Sequence, residues 1–138
     1  MGAPVDTGGS LVRALSRATR TIATRVEPTL KEAGLTLDQW LVLDALAGSR
    51  GSTMTELGTD TRLTGPTLTR VVDRLVMTAL AFREVDSADR RRVRVYLSPR
   101  GRAAHRRVSG KLTELERELL AATDMPTTLL TSLGQLAE

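Results

Sequence analysis

The chain has 138 residues, enough for one domain with one core. Hydrophobic residues make up 41% and aromatic residues only 2%, so the core must be aliphatic; the absence of cysteine excludes disulfides, thiol redox switches and Cys-ligated metals, and the single His105 excludes His-cluster metal sites and argues against His-based catalysis. The net charge of +4 is unevenly spread: residues 62–107 hold twelve arginines against four acids, +8, and the rest of the chain is −4. Arginine outnumbers lysine 18 to 2, a bias that does not account for the clustering. Such asymmetry suits a nucleic-acid face on an acidic scaffold.

Residues 1–9 are rich in Gly, Pro and small polar residues and are expected to be disordered. The start, Met1-Gly2-Ala3-Pro4-Val5-Asp6, lacks the basic-then-apolar pattern of a signal peptide, and Asp6 stands where a myristoylation signal has Ser or Thr. No apolar run approaches the roughly 18–20 residues of a membrane span, so a cytoplasmic protein without a membrane partner is expected. One domain is expected over residues 10–138.

From Leu11, apolar residues fall at Leu15, Ala18, Ile22, Val26, Leu30 and Ala33, one stripe of a long helix over about 10–33. Pro28 predicts a kink or break, and Gly34 a stop. Thr36 and Gln39 fit a capping box, and Leu35 and Trp40 a hydrophobic staple, for a second helix that stops at Gly48. Thr53 and Glu56 repeat the box, opening a short helix to Arg62 with Met54 and Leu57 inward. Thr64 or Gly65 can cap the next helix, with Pro66 in its first turn. Leu68, Val71, Val72 and Leu75 form its apolar face. Phe82–Val85 and Val93–Leu97 have strand character. Ser98-Pro99 starts a further helix with the stripe Ala104, Val108, Leu112, Leu115, Leu119 and Ala122. A last helix starts at Asp124 to Pro126, with Leu129, Leu130, Leu133 and Leu136 expected inward. The order α-α-α-α-β-β-α-α is mainly α with a small β-hairpin: a winged helix-turn-helix, about 36–98, between helical ends.

The chemistry this arrangement offers is binding to double-stranded DNA. Each base pair shows a distinct donor, acceptor and methyl pattern in the major groove. Thr64, Gly65, Pro66, Thr67, Thr69, Arg70 and Arg74 lie at or off the apolar face of the fourth helix, where hydroxyls and guanidiniums can read that pattern and free N–H groups can meet phosphate. At the hairpin tip, Asp89 can hold one guanidinium while others of Arg90, Arg91 and Arg92 project; Arg94, on the second strand, is also expected among the wing contacts to DNA. A narrow minor groove attracts inserted arginine. The acids are scattered, and no catalytic constellation can be assembled; no enzyme, cofactor or metal is expected.

Thr55-Glu56-Leu57, then Thr64-x-Pro66-Thr67-Leu68-Thr69-Arg70-Val71-Val72-Asp73-Arg74-Leu75, Leu80-x-x-Arg83, Asp86-x-x-Asp89-Arg90-Arg91 and Val95-x-Leu97-Ser98-Pro99-x-Gly101 together resemble the MarR (multiple antibiotic resistance regulator) family. The motifs span about fifty residues, and the helix order matches along nearly the whole chain. The resemblance implies a dimeric winged-helix transcription factor whose terminal helices form the dimer. It also implies that the helix after the turn enters the major groove and that Arg91, held by Asp89, enters the minor groove. Three departures stand out: Ala79 where the family usually has Gly, Glu84 where a second basic residue is usual, and Val76 and Met77 in place of a charged pair.

The terminal helices, about 10–33 and 99–138, have little else to bury against, so Leu11, Leu15, Ile22, Leu115, Leu119, Leu129 and Leu133 are expected in a homodimer interface. Two-fold symmetry would place the recognition helices on half-sites about 10 bp apart. The family often binds small aromatic or anionic effectors. Arg17, Arg20, Trp40 and His105 are candidate contacts, against plainer roles as solvated arginines, a core staple and an exposed helix residue. The expected function is a repressor of a palindromic operator relieved by a small molecule. The alternatives are a non-specific architectural DNA-binding protein and a winged-helix protein-interaction module.

Overall fold

A computed structural model of the chain describes residues 9–138; residues 1–8 of the segment expected to be disordered lie outside them. The elements are α1 (Leu11–Glu32), α2 (Leu37–Ala47), α3 (Met54–Thr61), α4 (Gly65–Met77), β1 (Ala81–Val85), β2 (Val93–Leu97), α5 (Pro99–Ala121) and α6 (Pro126–Leu136). Strands β1 and β2 pair antiparallel, with Ala81 opposite Leu97 and Val85 opposite Val93. Ser52 adds a bridge on the other edge of β2, exchanging both backbone hydrogen bonds with Val95 at 2.9 and 2.8 Å. Among the described residues, six helices and one hairpin make a winged helix.

The local stops and starts follow the side chains. Helix α1 ends in a Schellman turn: Gly34, at φ 73°, donates to the Lys31 carbonyl, and Leu35 donates to that of Leu30. Leu35 then leads into α2, where Thr36 and Gln39 close a full capping box. Thr53 caps α3 by accepting from Glu56 N–H at 3.2 Å, but only half of the expected box forms, because the Glu56 carboxylate turns to Arg94. Ser98 caps α5 with Pro99 behind it.

Helix α2 is the centre. Its buried Trp40, Val42, Leu43 and Leu46 point in different directions, and α1, α3, α4, α5 and β2 all pack on it. Val26 and Leu30 of α1, Leu57 of α3, Leu68, Val71, Val72 and Leu75 of α4, Val95 and Leu97 of β2, and Val108 and Leu112 of α5 complete one core.

Two expectations are corrected. Pro28 neither breaks nor ends α1, which runs through to Glu32. Pro28 lies on an exposed face, where water can satisfy the Thr24 carbonyl it leaves without a partner. The leucines of α6 do not point into a core: Leu129, Leu130, Leu133 and Leu136 are all exposed, and α6 has no buried residue. The helix meets the rest of the chain at its far end, where Arg62 donates to the Ala137 carbonyl at 2.6 Å.

Helix α4 ends in a second Schellman turn, with Ala79 N–H on the Val76 carbonyl and Leu80 N–H on that of Leu75. Ala79 takes φ 63° there, a conformation that costs an L-residue about 1–2 kcal/mol. Ala79→Gly relieves that cost while adding unfolded-state entropy, and should stabilise the protein by about 0.5–1 kcal/mol in urea unfolding. Gly101 tests the opposite sign. A Cβ there would sit 2.0 Å from the Leu80 carbonyl oxygen, so Gly101→Ala should destabilise by about 1–3 kcal/mol.

Candidate nucleic-acid interface

Burial of Leu68, Val71, Val72 and Leu75 orients α4 and leaves its other face in solvent. Thr64, Gly65, Pro66, Thr69, Arg70 and Arg74 are exposed and Thr67 is half-buried. Thr64 is the N-cap, but its hydroxyl makes no cap bond; it meets Thr67 Oγ1 at 3.2 Å instead. The first N–H groups of α4 therefore have no side-chain acceptor. Arg70 reaches back to Thr67 Oγ1 at 3.4 Å, and Thr69 Oγ1 donates to the Gly65 carbonyl at 3.0 Å. On the same helix Asp73 pairs with Arg83, tying β1 to the exposed side of α4.

The wing loop between β1 and β2 is built by two acids. Asp86 is buried. One of its oxygens accepts from Ala88 N–H at 2.9 Å and the other from Arg94 Nε at 2.9 Å. Its own N–H donates to the Arg92 carbonyl, closing the loop. These donors hold the Asp86 carboxyl below the ordinary carboxylate range, Ala88 N–H first and Arg94 next, against the opposing effect of burial. Asp86 in turn raises the Arg94 guanidinium. Asp89 accepts from Arg91 N–H at 3.1 Å and Nε at 3.4 Å, while Arg92 lies 3.8 Å from its second oxygen. The Arg91 side chain is held at its root yet 93% exposed. Arg90 and Arg92 are exposed beside it.

Arg94, expected among the wing contacts, does not project as Arg90, Arg91 and Arg92 do. It is half-buried, turned to Asp86, to Glu56 at 3.5 Å and to the Gly51 carbonyl at 3.3 Å. Its position on a strand facing α3 causes this, and its spacing in the sequence does not reveal it.

The candidate effector residues divide. Trp40 and His105 stack face to face, with ring centroids 5.0 Å apart, and His105 Nε2 lies 2.8 Å from Asp44 Oδ1. This pairing joins α2 to α5 and makes His105 half-buried rather than exposed. Arg17 and Arg20 are exposed on α1, and neither forms a hydrogen bond or ion pair with that cluster. A separate cleft of about 340 Å³ between α1 and α2 is lined by Ala23, Glu27, Leu30, Lys31, Leu35, Thr36 and Leu37. It lies within the size range of small-molecule sites, and none of the four sequence candidates lines it.

Of the residues expected at a dimer interface, Leu11 and Ile22 are exposed, Leu15 and Leu119 half-buried, and Leu129 and Leu133 exposed. Leu115 differs, packing against its own protomer's core. Among the described residues no helix is long and apolar enough to cross a membrane.

A short helix, a turn, a second helix with an outward polar face and a two-stranded hairpin define a winged helix-turn-helix protein. Residues 33–92 match the sequence profile described as MarR family. A probable transcriptional regulator from Pseudomonas aeruginosa is 30% identical, over 92% of this chain and 96% of its own, with a TM-score of 0.82. The PcaV transcriptional regulator from Streptomyces coelicolor, solved in complex with its natural ligand, is 25% identical over 99% and 97%, with a TM-score of 0.82. BpsR of Bordetella bronchiseptica, whose DNA binding is regulated by 6-hydroxynicotinic acid, shares the fold at 23% identity over 96% of each chain, with a TM-score of 0.82. No curated protein matches the chain in sequence. The chain belongs to the MarR family of transcriptional regulators.

The depressed Asp86 carboxyl makes the wing acid-sensitive. Its pairing is fully in place above the ordinary carboxylate range and is lost as pH falls through its lower folded value. The Ala88 amide resonance should therefore shift with a midpoint below about pH 4, and Asp86→Asn should abolish the transition.

Proposed function

We propose that the chain is a sequence-specific transcriptional regulator that binds an inverted-repeat operator as a homodimer and represses by occupying it. The observation that carries this reading is the pairing of an outward polar recognition face on α4 with an arginine tip that Asp89 steadies at its base. Thr64, Gly65, Pro66, Thr67, Thr69, Arg70 and Arg74 are assigned to the major groove and its flanking phosphates. Arg91 is assigned to the minor groove, with Arg90 and Arg92 on phosphate.

The dimer follows from what the protomer leaves uncovered. Leu11, Val12 and Ile22 of α1 and Leu129, Leu130, Leu133 and Leu136 of α6 are exposed apolar side chains on the two terminal helices. A two-fold related copy covers them and sets the recognition helices about 10 bp apart. A small aromatic or anionic effector would relieve repression by binding one spacing of the two lobes better than the other; 4-hydroxyphenylacetate, bound by the similarly folded NadR, and 6-hydroxynicotinic acid, which regulates BpsR, support this class of ligand.

Selection of bound duplexes from a random DNA library at about 150 mM salt tests the assignment. An inverted repeat with half-sites about 10 bp apart is expected. Binding without enrichment would favour an architectural protein, and no binding would favour a protein-interaction module. On the selected duplex, Arg91→Ala should weaken binding by about 1–3 kcal/mol and lower the salt slope by about one. Thr69→Ala and Arg70→Ala should relax preference at particular base positions. Leu133→Asp, at an exposed position, should yield folded monomers in sedimentation; a dimer of unchanged affinity would contradict the interface.

A further inference from the structure

We infer that Arg94 is a positioning residue that sets the reach of the wing tip relative to α4, and is not itself a DNA contact. This rests on the DNA-binding reading and deepens it. Arg94 is the one arginine of the wing cluster that faces inward: its side chain is 25% exposed, against 61% for Arg92 and 93% for Arg91. Two carboxylates, Asp86 and Glu56, share its single positive charge. The site is net negative, which disfavours an approaching phosphate.

The partners of Arg94 come from three segments. Nε donates to Asp86 at the mouth of the wing loop, while Nη1 meets Glu56 in the first turn of α3 and donates to the Gly51 carbonyl ahead of it. From Asp86 the contacts continue outward. Its second oxygen holds Ala88 N–H, its N–H holds the Arg92 carbonyl, Arg92 N–H donates to the Asp89 carbonyl, and Asp89 steadies Arg91. An unbroken chain of polar contacts thus runs from α3 to the tip.

The base of the wing is fixed by other means. Ser52 bridges Val95, and Gly51 lies so close to the Tyr96 ring that a Cβ would sit 2.3 Å from it. Beyond Val85 and Val93 strand pairing stops. Residues 86–92 rely on the Asp86–Arg94 link to relate them to the helix-turn-helix. Only a guanidinium can present Nε to one acceptor and Nη1 to two others at once; a lysine ammonium lacks that fork.

The test compares Arg94→Met, Arg94→Lys and Arg91→Ala with the wild type, on a selected inverted-repeat duplex and on an unrelated duplex, across a salt series. Arg94→Met should weaken specific binding about tenfold, leave the unrelated duplex within about twofold and keep the salt slope unchanged, whereas Arg91→Ala lowers that slope by about one. Arg94→Lys should fall between wild type and Arg94→Met. In the free protein, Arg94→Met should speed amide exchange at Ala88 and Arg92 while α2 and α4 keep their protection. A salt slope lowered by one in Arg94→Met would make Arg94 a direct contact and overturn the proposal. Unchanged specific affinity, or exchange accelerated throughout the domain, would overturn it as well. If the wild type itself shows no selective binding, the regulator reading fails and the positioning role falls with it. Selective wild-type binding unaffected by Arg94→Met overturns the positioning role alone.

Discussion

Helix α2 buries Trp40, Val42, Leu43 and Leu46 in several directions at once, leaving only Leu37, Leu41 and Asp44 exposed along its length, and the arrangement of the chain depends on covering it. Each of its fully buried aliphatic side chains contributes about 1.5–3 kcal/mol only when surrounded. Enclosure draws α1, α3, α4, α5 and β2 around one short rod. It also fixes which face of α4 turns outward. Leu68, Val71, Val72 and Leu75 serve the core, so the threonines and arginines between them face solvent. The outward polar face of α4 is thus a by-product of core packing, with no separate device needed to aim the helix.

The same enclosure leaves a remainder. Helix α1 buries only Val26 and Leu30, and α5 buries only Gly101, Ala104, Val108 and Leu112. Leu11, Val12 and Ile22 of α1 stay exposed, as do the leucines of α6. Arg62, in the turn before α4, donates to the Ala137 carbonyl at the end of α6 and so ties that helix to the helix-turn-helix. In the proposed dimer, a change in how two copies pack would reach the spacing of the two α4 helices through that contact.

Much of the fold was legible because its signals are local. Thr36 with Gln39, Gly34, and Ser98 with Pro99 act within a few residues, and each forms the bond its spacing implies. The apolar face of α4 and the acid-then-arginine run at Asp89 were equally readable. What escaped depends on residues far apart in sequence. Arg94 looked like its neighbours until Glu56 and Gly51 arrived from α3 and its approach. His105 acquires Trp40 and Asp44 from a helix some sixty residues away. Pro28 reads as a break in isolation, yet its exposed face lets water satisfy the freed carbonyl. The apolar leucines of α6 carry no mark distinguishing a core of their own protomer from a face left for another copy.

Methylation interference on the selected duplex probes the DNA geometry most directly, because N7 of guanine reports the major groove and N3 of adenine the minor groove. Two symmetric blocks of guanine interference centred about 10 bp apart are expected, each adjoined by adenine interference that disappears with Arg91→Ala. Interference confined to the minor groove, or a single block without symmetry, would contradict a dimer that reads bases through α4 and steadies itself through the wing.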